Sequence, residues 1–288
     1  MSSDSADISP QTTYALRMID REIKLAQMMT RPVILTWWLL ALNGLFWLMA
    51  KGYGMWLVEA GLTTAYLNAE QLSFFTGMKY NAAIAEGQWW RLLSAQFVHL
   101  DILHLLFNGY GIYVLGCFFE RAYGARRMLV LYIASGTIGS LASYWINAAP
   151  GGGASGAVYG LVGGLIVFGV KYRDWLPSGV SRALTLGLVP WVILSLGVGF
   201  IDAIPMDNAA HIGGLLTGAL VAALMASRFR SREQGVSDRV VTALTVVAAA
   251  GYLWMMVGWS AEVTECLVDE ESYRACYPEL SAEIEEGE

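Results

Sequence analysis

Ser155 lies in the run Gly153-Ala154-Ser155-Gly156, at the mouth of an apolar segment. All three histidines of the chain, His99, His104 and His211, lie in or at the edge of other apolar segments of membrane length. An ionisable side chain in hydrocarbon costs several kcal/mol and is rare unless it serves a function. A serine in a glycine-rich turn, with imidazoles in neighbouring apolar segments, points to nucleophilic catalysis inside a membrane, the imidazole acting as general base.

Gly153 and Gly156 flank the serine, and a turn entering a helix leaves backbone N–H groups unpaired. Such groups can stabilise an oxyanion. Gly156, Gly160 and Gly164 then recur every four residues, and Ala210, Gly214 and Gly218 repeat the spacing after His211. Small residues at this interval let membrane helices approach closely, which would bring His211 up to Ser155. The bland alternative is a pair of generic packing faces. Tyr159, one turn below Ser155, is placed to stack on the His211 ring, or simply to pack. His104 and Asn108 are four apart and share a helix face, offering two side-chain donors to one point. A metal or haem site is the competing chemistry, but there is no HExxH motif and no cysteine or carboxylate cluster beside these histidines. No aspartate completes a triad convincingly. Asp207, four residues before His211, could orient it but is expected in an exposed loop, and Asp101 is expected to face water or loop backbone. A serine and histidine pair remains workable, because the base needs orientation more than a third charge.

These residues need elements to hold them. In 288 residues the chain is 56% hydrophobic and only 15% charged, against about 45–50% and about 25% for soluble domains. Runs of roughly 20 apolar residues recur, enough to cross a hydrocarbon core as helix. The first 30 residues are polar and do not resemble a cleaved signal peptide. The composition thus predicts an all-α polytopic membrane protein with seven spans, at about 33–50, 97–118, 127–147, 155–171, 181–200, 210–227 and 239–259. Basic residues mark alternate loops: Arg17, Arg21, Lys24 and Arg31; Arg121, Arg126 and Arg127; Lys171, Arg173 and Arg182; Arg228, Arg230, Arg232 and Arg239. By the positive-inside rule these loops and the N-terminus are cytoplasmic. Spans two, four and six then run parallel, from outside to inside, with Ser155 and His211 at matching depth. The segment 51–96 is an outer loop whose aromatic residues suit an interfacial belt. The acidic tail 261–288 lies outside, where Cys266 and Cys276 can form a bridge in an oxidising compartment, two free thiols being the alternative. No basic stripe points to nucleic acid.

Five separated motifs give the chain a resemblance to the rhomboid intramembrane serine proteases over roughly residues 78–220. They are Trp90-Arg91, His99-x4-His104-x3-Asn108, Gly116-x3-Glu120-x3-Gly124, Gly153-Ala154-Ser155-Gly156 with Tyr159, and His211-x2-Gly214-x3-Gly218. The resemblance implies a six-helix core at 33–227 after a cytoplasmic segment 1–32, then a basic linker and seventh span at 228–260. It implies that Ser155 is the nucleophile, His211 the base, and His104, Asn108 and the Ser155 N–H the oxyanion hole. Trp90 and Arg91 would anchor the outer loop in the headgroup region, and Glu120 would brace the cytoplasmic end of span two. His99 is expected to be structural. Substrates would be single-pass or polytopic membrane proteins in the cell (inner) membrane, with no cofactor, metal or nucleic acid. A transporter or trafficking factor is the rival class; there, polar residues would line a pathway or bind client helices, and Ser155 would be dispensable. Pro190, in span five, marks a candidate gate, a packed kink being the alternative.

Overall fold

The computed structural model describes residues 9–59, 76–201, 206–229, 238–266 and 275. Asp202, Arg230, Arg232, Cys276 and most of the acidic tail fall outside these residues, and with them the expected bridge to Cys266 and residues 60–75 of the expected outer loop. Among the described residues the regular elements are helices joined by turns and loops, with an isolated antiparallel bridge between Lys79 and Gly151. In chain order the helices are α1 (Pro10–Met29), α2 (Leu35–Glu59), α3 (Asn81–Ala85), α4 (Arg91–Ser94), α5 (Ile102–Tyr123), α6 (Ala125–Ile146), α7 (Ser155–Lys171), α8 (Ser178–Leu184), α9 (Leu188–Val198), α10 (Asn208–Leu224) and α11 (Asp238–Cys266). Three stretches, Ile102–Tyr123, Ala125–Ile146 and Ser178–Val198, are long and apolar enough to cross a membrane; Ser155–Lys171, Asn208–Leu224 and Thr242–Gly251 are shorter apolar helices.

Exposure is inverted relative to a soluble fold. Phe107 on α5 is 75% exposed and Trp145 on α6 is 72% exposed, while Asn43, Glu120, Ser135 and Ser143 are buried. Apolar residues outside and small or polar ones inside is the pattern expected when hydrocarbon is the solvent. Helix α7 is the central element, buried from Gly156 to Leu165. Its glycine face meets the matching face of α10: a Cβ at Gly214 would strike the Gly156 carbonyl oxygen, and one at Gly218 would strike that of Gly160. Both numbers rise together, so α7 and α10 are parallel. A Cβ at Gly164 would lie 2.8 Å from Phe119 of α5 and 3.0 Å from Leu131 of α6. The expectation that spans two, four and six are parallel matches this packing.

Two boundaries differ from the sequence reading. Helix α2 runs on to Glu59, nine residues past the expected end of span one. Helix α5 starts at Ile102 rather than 97, because the Asp101 carboxylate accepts from the His104 amide at 2.9 Å and caps it. At the far end α5 turns into α6 through Gly124, whose φ of 89° lies where side chains are strained. Just before it, Glu120 accepts from the Ile34, Leu35 and Thr36 amides at 2.9, 2.8 and 2.8 Å. These are first-turn donors of α2 that lack intrahelical partners, so Glu120 on α5 braces the neighbouring helix.

Candidate active site

Gly153 sets the geometry of the turn before Ser155. Its φ is 125°, and a Cβ there would lie 2.6 Å from the His104 ring and 3.2 Å from Asn108 Nδ2. The turn therefore passes directly against both side chains, and only glycine fits. Ser155 follows as the first residue of α7, half-buried, with no side chain capping the helix start. The first-turn amides are left open toward the same space.

His211 sits in the first turn of α10, beside the close contact between α10 and Gly156. Its ring stacks on Tyr159, with centroids 4.3 Å apart and planes 11° from parallel. Tyr159 is held in turn by a 2.6 Å hydrogen bond to Ser195 of α9 and a 5.4 Å ring contact with Trp191. Ser155 and His211 thus share one end of the packed pair α7 and α10. No hydrogen bond joins them in this conformation, and His211 Nδ1 is buried without a partner among the described residues. Catalytic hydrogen bonds commonly tighten only when substrate binds.

His99 lies outside α5, on the segment leading into it, and folds back so that its ring is 5.1 Å from that of His104. Its Nδ1 faces the Phe97 carbonyl at 3.3 Å, which can only accept. Nδ1 therefore carries the proton, and Nε2 accepts from Asn108 Nδ2 at 3.0 Å and the Ala154 amide at 3.4 Å. An amide nitrogen has two hydrogens, so one N–H of Asn108 is fixed by His99 and the other remains for the site. His99 is buried, and it orients Asn108.

Arg91 is 0% and Trp90 6% exposed, so both side chains turn into the protein. The guanidinium donates to Gln88 Oε1 at 2.5 Å and to the Met78 carbonyl at 3.3 Å, and lies 4.8 Å from the Trp90 ring centroid. Residues 76–94 fold around this stack, which satisfies the charge that lipid or water would otherwise hold. Asp207, expected in an exposed loop, is half-buried. It caps α10 by accepting from the Ala210 amide at 3.1 Å, and it also bonds to Ser143 of α6. An aspartate immediately before a helical run is a recognisable cap signal; Ser143 and Ser195 carry no such signal. Among the described residues no group of three or more His, Cys, Asp or Glu side chains is placed to hold a metal ion.

A family model described as the Rhomboid domain matches residues 86–228. The rhomboid protease GluP of Bacillus subtilis is 36% identical over 188 residues, covering 65% of this chain and 35% of that protein. YdcA of the same bacterium is 32% identical over 159 residues, covering 53% of this chain and 75% of its own length. The rhomboid protease AarA of Providencia stuartii is 29% identical over 219 residues, covering 68% and 75%. The chain thus spans about a third of GluP and three quarters of the other two.

Proposed function

The chain belongs to the rhomboid family, and we propose that it is an intramembrane serine endopeptidase cleaving transmembrane segments near their extracytoplasmic end. The observation that carries this is the convergence at Gly153, where His104 and Asn108 face the turn that delivers Ser155, with His211 stacked on the same helix. In this reading His211 takes the proton from Ser155 Oγ as the oxygen attacks a peptide carbonyl carbon. The developing oxyanion is held by the free N–H of Asn108, by His104 and by the Ser155 amide. His211 then gives its proton to the leaving amine as the C–N bond breaks, and water, deprotonated by the same base, releases the acyl group. Tyr159 holds the imidazole, and Gly156 and Gly214 allow the approach.

The same proposal carries the architecture implied by the resemblance, a six-helix core with α11 as a seventh span. The Ser155 end faces outward and the basic loops lie in the cytoplasm. Water reaches Ser155 from that outer side. Backbone amides in a substrate helix are already paired, so the helix must unwind before attack. Substrates with Gly or Pro in their span are therefore expected, and the family resemblance adds a small residue before the cut. The test is covalent labelling and cleavage in the detergent-solubilised, folded protein. A serine-directed fluorophosphonate should label wild type and not Ser155→Ala. Ser155→Ala and His211→Ala should each abolish release of fragments from a transmembrane substrate. Fragment release that persists in Ser155→Ala would overturn the reading.

A further inference from the structure

Lys79 belongs to the outer segment before α3, and its side chain is only 1% exposed. A lone ammonium buried away from water is costly unless it is paired and hydrogen-bonded. Here Nζ donates to the Ser143 hydroxyl at 2.9 Å and to the Asn147 carbonyl at 2.7 Å, both at the end of α6. Because Lys79 can only donate, the single Ser143 hydrogen is left for its next partner, Asp207 Oδ2. The other Asp207 oxygen accepts from the Ala210 amide at 3.1 Å, and the Asp207 carbonyl accepts from the His211 amide at 3.0 Å. One polar chain thus runs from Lys79 to the backbone of His211. Burial lowers the Lys79 pKa from the ordinary lysine value, and Asp207 opposes that shift.

The backbone of Lys79 makes a second connection. Its N–H donates to the Gly151 carbonyl at 2.8 Å, and the Gly151 N–H returns a bond to its carbonyl at 3.0 Å. Gly151 lies four residues before Ser155, in the turn leading into α7. Lys79 therefore grips the approach to Ser155 with its main chain and the cap of the His211 helix with its side chain. We propose that Lys79, acting through Ser143 and Asp207, is a positioning residue that fixes His211 relative to Ser155. This rests on the catalytic pairing proposed above.

The test compares the full chain in detergent with Ser143→Ala, Ser143→Thr, Lys79→Met, Asp207→Asn and the double variant Lys79→Met/Asp207→Asn. The readouts are melting temperature, the rate of fluorophosphonate labelling at Ser155, and kcat and KM on a model transmembrane peptide. Ser143→Ala and Lys79→Met should slow labelling and kcat by about tenfold or more, since small misplacements of reacting groups carry penalties of this order. KM should stay within about twofold, because no substrate contact is removed. Ser143→Thr, which keeps the hydroxyl, should retain the wild-type rate. Removing one member of a buried charge pair leaves the other uncompensated, so Lys79→Met and Asp207→Asn should each lower the melting temperature. The double variant should recover the melting temperature but not the rate. Wild-type labelling in Ser143→Ala, or a double variant that recovers both, would overturn the proposal even if Lys79→Met alone failed to fold. Failure of wild type itself to label would instead remove the pairing on which it rests.

Discussion

Asn108 and His99 divide one task. Asn108 faces the turn before Ser155, and His99 decides which way its amide points by accepting one of its two hydrogens. Removing one donor from an oxyanion hole lowers kcat by about 10²–10³-fold in known cases. Asn108→Ala should therefore lose kcat on this scale with little change in KM, measured by steady-state cleavage of a transmembrane peptide. A loss confined to KM would place Asn108 in substrate binding instead. Ser155, His211, His104 and Asn108 are legible as candidates in the sequence because polar residues stand out against apolar spans. The dependence of Asn108 on His99 is not, since His99 reaches it from outside the helix through a backward fold that no periodicity signals.

At the scale of elements, glycine carries the structure. The faces of α7 and α10 meet backbone to backbone, and their four-residue spacing makes that contact readable from sequence. Capping is less visible: the apolar run places the start of span two five residues early, and the Asp101 cap sets it at Ile102. The segment before α5 is the least legible part, because Lys79, Arg91 and Trp90 turn inward and no periodicity in so short a stretch signals it. The glycine contact gives a paired expectation. An added Cβ at Gly218 meets the Gly160 carbonyl oxygen, backbone that cannot swing aside, whereas one at Gly44 meets nothing within 4 Å. Gly218→Ala should cost about 1–3 kcal/mol, the range for overpacking, and slow Ser155 labelling as α10 shifts. Gly44→Ala should leave both within error. Thermal unfolding and labelling of the two variants side by side check this, and equal stability would mean the helices can separate freely.

Across the whole molecule, burial is uneven in a way that bears on substrate entry. Helices α6, α7 and α10 interlock through small residues, and Glu120 ties α2 to α5 at the end opposite Ser155. The α8 and α9 segment is different. Among its residues only Val192 is buried, and the chain breaks helix at residues 185–187, just before Pro190. Pro190 has no N–H to give a preceding turn, which accounts for the break. Val192 packs with Tyr159 and Val162, with Leu115 of α5 alongside, and Ser195 bonds to Tyr159. Few buried contacts mean a low cost of local opening, so this is the part of the bundle expected to move aside for a substrate helix. A disulfide joining α9 to α5 beside Val192 and Leu115, built in a Cys117→Ser background, should slow cleavage of a transmembrane substrate severely. Labelling of Ser155 by a small fluorophosphonate should be nearly unchanged, because the probe needs no lateral opening, and reductant should restore cleavage. Undiminished cleavage by the oxidised protein would rule out α9 as the moving element. Parallel loss of labelling and cleavage would mean the lock distorts the Tyr159 and His211 stack instead of closing a gate.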